Sequence, residues 1–511
     1  MTMTASDSTH TTADTAHTHE QSSLNKANDP GLDKALVSSL LRLRQQYPGC
    51  RRLLLGVSGG LDSMVLLHAC WLLFERIRKQ RTAQHSGQHS GQQAEQVHPA
   101  LAFAGLRVVH VNHGISDHAM RWQAHCQAVC QDLGIEFVAR QVVVQRDPGQ
   151  SPEAVARTAR YEVFARELAA DEALLLAHHQ DDQVETVLLR VLRAAGPRGL
   201  AGMPESRVLG AGMVWRPLLA LRREQLARWA TAHTLRWVED DSNSDERLSR
   251  NYLRHRVIPL LAAHWPGWRH SVSRTAALGA DADSLLSELA AQLLLTLSPA
   301  DSDRLLCAGL RELSSAKQRL VIRHWLLRET EQMPGWRLVQ RVQDELLGAR
   351  DDAQPQINWQ HWQLRRFREE LYLIEALDNL PALPVAGYAW QPQGDGRYVA
   401  RVLPGNGSLR LYQQTGAQKR NAMRLPAGQC AIRYRQGGEQ CALPGRPQRP
   451  LKKILQEFAL PPWLRERTPL LYIDNKLAWI VGVGVCDGFQ VVDEGTGWAV
   501  SWQMPSRQDH I

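Results

Sequence analysis

Two glycines, two hydroxyls and a carboxylate are packed into the six residues Ser58-Gly59-Gly60-Leu61-Asp62-Ser63, between an aliphatic run, Leu53 to Val57, and an amphipathic stretch towards Lys79. Set between a strand and a helix, such a segment is an anion cradle. The glycines let the backbone approach a ligand, the helix amino terminus presents unpaired N–H groups, and Ser58 and Ser63 add hydroxyl donors. Asp62 beside a phosphate is repulsive unless a cation lies between them, so the spacing points to ATP phosphates with Mg2+ bridged through Asp62. The lysine-bearing loop usual in nucleotide triphosphatases is absent.

A second cluster, Ala177-His178-His179-Gln180-Asp181-Asp182-Gln183-Val184-Glu185-Thr186, opens a helix after another apolar run. Asp182 and Glu185, three apart, share a helix face, as do His178 and Asp182. The HExxH pattern is missing and no cysteine lies nearby in sequence. Acid/base chemistry or support of Mg2+ beside ATP therefore fits better than a zinc site. Between the clusters lie HVNHGIS (His110 to Ser116) and EAVARTARYEVF (Glu153 to Phe164), where Glu153, Arg157, Arg160 and Tyr161 recur at helical spacing and can face a polyanion. Further on come VWRPLL (Val214 to Leu219), WVEDDSNSD (Trp237 to Asp245) and RNYLRHRVIPLL (Arg250 to Leu261).

The elements that must hold these residues read as alternating strands and helices. Leu53 to Val57, Leu106 to Val111, Phe137 to Val144, Ala173 to Ala177 and Val214 to Leu219 are short aliphatic runs separated by amphipathic stretches. This alternation predicts an α/β domain, a doubly wound parallel sheet covered on both faces, over residues 33–268. Ligands bind such sheets at the carboxyl ends of the strands, where the polar clusters fall. Residues 269–378 read as a helical domain and 379–511 as a small α+β domain. Residues 1–32 are a polar Thr- and His-rich lead predicted to be disordered, and 80–97, with QHSGQHSGQQ, a flexible insertion.

A formal charge of +8 and a pI of 9.2 suit a polyanionic partner such as nucleic acid. Eight cysteines without disulfide or zinc spacing point to a reducing compartment, and the lack of an apolar span predicts a cytoplasmic chain with no membrane association.

The Ser58–Ser63 segment resembles the pyrophosphatase-type loop (PP-loop) of ATP-dependent enzymes that cleave between the α and β phosphates, the adenine nucleotide α-hydrolase-like superfamily. Taken in order, SGGxDS, HxNH, ExxAR with RY and F, HHxxDxxET, RPL, EDxSN and RNxxR are similar to the bacterial tRNA(Ile)-lysidine synthetases. So are IRYRQGGE (Ile432 to Glu439), LKKILQE (Leu451 to Glu457) and PPWLRERTPLL (Pro461 to Leu471). Ser116 and Ala195 depart from the residues usual in that family.

The resemblance implies ATP-dependent attachment of free L-lysine to carbon 2 of the wobble cytidine of a tRNA(Ile) with a CAU anticodon. The route is an adenylated base, with AMP and diphosphate released, and the tRNA changes from methionine to isoleucine specificity. It implies ATP on Ser58, Gly59, Gly60, Leu61, Asp62 and Ser63 with His113 and Arg216, and Mg2+ at Asp62. Catalysis would fall to Asp62, Asp182, Glu185 and Arg157, with Asp182 and Glu185 holding the lysine ammonium or removing its proton. RNA contacts would fall to Arg250, Asn251, Arg254, Lys452, Lys453, Arg465 and Arg467, and the resemblance leaves room for a homodimer. Two other readings remain at this stage: a tRNA thiolase using Cys126 and Cys130, and a non-catalytic RNA-binding protein with a degenerate ATP fold.

Overall fold

Leu53, Leu54 and Leu55 are all fully buried, which marks a central strand covered on both faces. In the computed structural model they belong to β1 (Arg52–Gly56), which follows α1 (Pro30–Gln46) and leads into α2 (Leu61–Ser86). The structure describes residues 30–86, 98–114, 116, 118–142, 152–298, 304–350, 353–376, 380, 401–414, 422–423, 430–491 and 497–503. Most of the polar lead and residues 87–97 of the insertion lie outside these. Helix α2 continues through residues 80–86, where the sequence reads as loop.

The chain continues through β2 (Gly105–Asn112), α3 (Ala119–Asp132), β3 (Glu136–Gln141), α4 (Pro152–Glu167), β4 (Glu172–Leu175) and α5 (Gln180–Val191). Then come β5 (Ser206–Leu209), β6 (Gly212–Trp215) and α6 (Arg223–Ala232). The spatial order is β3-β2-β1-β4-β6-β5, with β1 parallel to β2 and β4, β2 to β3, and β4 to β6. The predicted parallel sheet is present. One feature is added: β5 closes the edge as an antiparallel hairpin with β6. Strand β6 ends at Trp215, earlier than its apolar run, because Pro217 has no N–H to continue a ladder.

Alternate residues of β1 serve opposite faces. Leu53 and Leu55 pack with Leu36, Leu40, Leu66, Trp215 and Trp229, while Leu54 packs with Val109, Tyr161, Phe164, Leu174 and Val214. Strands β2 and β3 lie on one side of β1, and β4 returns to the other, so the strand order reverses between β1 and β4. The crevice at such a switch point is where open α/β sheets bind ligands. The loops leaving β1 and β4, with Ser58–Ser63 and His178–Glu185, both open there.

The chain divides into two compact units, up to Ser287 and from Glu288, inside the 30-residue helix α7 (Trp268–Leu297). Within the second unit, β7 (Leu305–Leu306), α8 (Cys307–Glu312), α9 (Ser315–Thr330) and α10 (Trp336–Arg341) lead to β8 (Gln356–Trp359), β9 (Trp362–Phe367) and β10 (Glu370–Glu375). The predicted helical region thus also carries an antiparallel sheet, β7-β10-β9-β8, over Val321, Trp325, Leu364 and Leu371. Small antiparallel sheets follow, and helix α11 (Leu451–Glu457) packs Leu451, Ile454 and Leu455 against Leu470 and Ile480. Among the described residues, no helix is long and apolar enough to cross a membrane.

Candidate active site

The cradle after β1 is organised by its own side chains. Ser63 Oγ donates to Gly60 O at 2.9 Å and lies 3.3 Å from the Ser58 N–H and 3.2 Å from Ser58 Oγ. Gly59 has φ +89°, a conformation that side-chain-bearing residues rarely adopt, and a Cβ there would stand 2.8 Å from Val238 Cγ2 and 3.2 Å from Cys126 Sγ. Val238 N donates to Gly59 O at 2.9 Å, so the WVEDDSNSD segment props the loop from behind. Asp62 begins α2, with Oδ1 buried and without a hydrogen-bond partner. That oxygen, with Arg223 Nε at 3.9 Å but no hydrogen bond, fits a cation beside the anion cradle.

Across the crevice, His179 caps α5. Its backbone N–H donates to Asp182 Oδ2 at 3.1 Å, and its Nε2 stands 3.5 Å from Asp62 Oδ2 and 3.4 Å from Asp182 Oδ2. Nδ1 is 3.4 Å from the Asp182 N–H, at the long limit for an acceptor, so the ring faces mainly carboxylates. Burial opposes charge on this imidazole, but the hydrogen bond to Asp62 and the charges of Asp182, Asp62 and Asp181 outweigh it and raise its pKa.

Asp182 and Glu185 share a face as the spacing predicts, and both are matched to arginine. Arg250 Nη2 donates to Asp182 Oδ1 at 2.7 Å and its Nε to Glu185 Oε2 at 2.6 Å. Arg254 donates from Nε to Glu185 Oε1 at 2.7 Å and from Nη2 to Oε2 at 3.0 Å. The two arginines are four residues apart, where Ser249–Tyr252 passes into a π turn, Leu253–Val257, ahead of Pro259. Proline cannot donate to the helical ladder, and the turn before it relaxes. Asp181 accepts from Arg223 N and Arg269 Nε, both at 2.9 Å, which ties the start of α5 to α6 and α7.

This placement changes the reading of three residues predicted to meet RNA. Arg250 and Arg254 are engaged with the protein's own acids, buried Glu185 and partly buried Asp182, because two carboxylates one turn apart on α5 require charge partners. Asn251 is buried and donates to Ser242 O at 2.8 Å and Asp245 O at 3.0 Å, holding the loop that supports Val238. In the second unit Lys452 and Lys453 are exposed on α11, opposite its buried face. Arg465 donates to Leu460 O at 2.7 Å, and Arg467 is buried and donates to Gly405 O at 2.9 Å.

A third group lies beside β4 and β6. Arg216, buried, donates to Pro204 O at 2.7 Å and to Tyr161 Oη at 3.4 Å. Arg157 lies over the Tyr161 ring, 5.1 Å from its centroid. His178 and His113 each leave Nδ1 buried and without a partner. Burial and the guanidinium groups of Arg216, Arg157, Arg160 and Arg250 push the His178 pKa well down. Burial, Arg160 and His110 bring His113 to about 4. Both rings are therefore neutral hydrogen-bonding groups at neutral pH.

Cys126 and Cys130, the thiols a sulfur-transfer reading needs, are fully buried, and burial pushes their pKa values up to about 12 and about 11. Thiols held protonated in apolar surroundings are inert, which disfavours that reading. The side chains that sequence reading missed are Arg223, Arg269 and Arg207. Each reaches the site from a distant segment, so no spacing points to it, whereas Val238 lies in WVEDDSNSD, a segment that sequence reading picked out without assigning this residue a role.

The PP-loop domain model matches residues 32–261, the TilS substrate binding domain model residues 305–372 and the TilS substrate C-terminal domain model residues 430–502. The chain is 38% identical over 450 residues to a tRNA(Ile)-lysidine synthase of Coxiella burnetii, covering 88% of this chain and 92% of the relative. With the Pseudomonas aeruginosa protein of the same name it shares 38% identity over 489 residues, 93% of this chain and 98% of the relative. Among solved structures, the U34-tRNA thiolase NcsA from Methanococcus maripaludis matches at a TM-score of 0.35 and 15% identity, over 50% of this chain and 80% of that one.

Proposed function

The chain belongs to the tRNA(Ile)-lysidine synthase family, and we propose that it joins free L-lysine to the wobble cytidine of a tRNA(Ile) with a CAU anticodon. The observation that carries this reading is the convergence of the Ser58–Ser63 cradle and the His178–Glu185 cluster on one crevice, linked by the 3.5 Å contact of His179 with Asp62. The oxygen on carbon 2 of cytosine is a poor leaving group. Its attack on the α phosphorus of ATP releases pyrophosphate and leaves a base bearing AMP. Attack of the lysine ε-amine at carbon 2 then expels AMP.

Each demand of this sequence has a fitting residue type. The N–H groups of the cradle and the hydroxyls of Ser58 and Ser63 suit the ATP phosphates. Asp62, whose Oδ1 makes no hydrogen bond, would hold Mg2+, which supplies positive charge to those phosphates. Neutral His113 and His178, each with a buried Nδ1 lacking a partner, add hydrogen-bonding groups to the site. Asp182, less buried than Glu185, is the group for the lysine ammonium and for taking the proton the amine must lose. Glu185, with both oxygens on arginine, sets the position of Arg250 and Arg254.

The two half-reactions separate these roles. Asp182→Asn should still release pyrophosphate from ATP in the presence of tRNA, but should lose lysine-dependent release of AMP. Wild-type turnover of both steps in that variant would remove Asp182 from the mechanism.

A further inference from the structure

Tyr161 gathers guanidinium groups from three separate elements. Arg157 on α4 and Arg207 on the edge strand β5 lie over its ring, 5.1 Å and 4.5 Å from the centroid, and Arg216 after β6 reaches its hydroxyl. The ring is buried, whereas Arg157 and Arg207 are exposed. A fixed aromatic face thus orients two arginines that open to solvent.

Positive charge accumulates here. Burial lowers the Arg216 pKa, and Arg207 and Arg157 lower it further, with only Tyr161 acting the other way. For the Tyr161 phenol, burial acts to raise the pKa, and Arg157, Arg216 and Arg207 outweigh it and bring it down. Arg216 Nε is buried without a hydrogen-bond partner, although the side chain is only 2% exposed. Like charges gathered around an unpartnered donor are costly and are relieved by an anion. Planar guanidinium forks suit phosphate oxygens in particular.

We propose that Arg157 and Arg207, braced on Tyr161 with Arg216 behind them, form a subsite for a backbone phosphodiester of the RNA strand whose cytidine enters the crevice. This rests on the reading of tRNA as substrate. The exposure of Arg157 and Arg207 suits a polymer laid across the surface, while the Ser58–Ser63 cradle serves the phosphates of ATP. Arg207 sits on the antiparallel hairpin that sequence reading did not anticipate, so the subsite gives that added edge a function.

The test uses the full chain with Arg207→Glu and, as a second variant that keeps an apolar side chain under the arginines, Tyr161→Leu. Steady-state rates are measured against tRNA and against ATP, with tRNA binding followed over a range of salt. Arg207→Glu should raise KM for tRNA by about tenfold with KM for ATP unchanged, and the salt dependence of binding should lose about one phosphate contact. Tyr161→Leu should shift KM for tRNA in the same direction. An unchanged KM for tRNA in both variants, or a rise confined to ATP, would overturn the proposal. If the wild-type chain does not modify tRNA at all, the functional reading fails; if it does and the variants match it, only this subsite fails.

Discussion

His179 Nε2 stands 3.5 Å from Asp62 Oδ2 and joins the loop after β1 to the loop after β4. With its pKa raised by Asp62, Asp182 and Asp181 against the effect of burial, the imidazolium contributes stability that is fully present below its unfolded value, 6.5, and is lost as pH rises through the folded pKa. His179→Gln should therefore be less stable than wild type at about pH 6, with the difference shrinking towards about pH 9. Thermal melts across that interval measure it. A difference that stays constant or grows with pH contradicts the assignment.

Gly59 and Gly60 are neighbours with different constraints. A Cβ on Gly59 meets Val238 Cγ2 at 2.8 Å in a left-handed backbone, whereas one on Gly60 meets only ordinary contacts, the nearest being Ser58 Oγ at 3.6 Å. Gly59→Ala should destabilise the first unit by about 1–3 kcal/mol and raise KM for ATP, and Gly60→Ala should melt near wild type. Equal melting of the two variants in urea would contradict the role given to the Val238 contact.

Glu185 is only 1% exposed and faces Arg250 and Arg254 together. Glu185→Gln removes the charge but keeps the shape, leaving two guanidinium groups without their buried partner. The expected loss is about 3 kcal/mol, towards the lower end for a broken buried pair because both arginines keep an exposed edge. Asp182→Asn should cost less stability while costing the lysine-dependent step. Urea titration of both variants checks the order, and a larger loss in Asp182→Asn reverses the division of labour between the two acids.

Much of the fold was legible because its signals are local. The apolar runs around Leu53, Leu106 and Ala173 each became a strand of the parallel sheet, and the polar clusters behind two of them met at the switch point. The Asp182–Glu185 face was legible from a spacing of three. Their partners were not, since Arg250 and Arg254 lie about 65 residues away and reach α5 only through tertiary packing. Read alone, basic residues in RNYLRHR suggest a solvated or RNA-facing surface, and only the carboxylates opposite show where two of them go. The β5–β6 hairpin was equally hidden: Ser206-Arg207-Val208-Leu209 is short and lies at the edge, with little apolar pattern to mark it.

The central claim concerns where lysine goes, and one incubation decides it. Purified protein is mixed with ATP, labelled L-lysine and an unmodified tRNA(Ile) transcript with a CAU anticodon, and the RNA is digested to nucleosides. The account predicts label on the base of the wobble cytidine, with AMP and pyrophosphate formed in equal amounts. ATP cleavage without label in any nucleoside base, or label carried only as an ester on the RNA terminus, would contradict it.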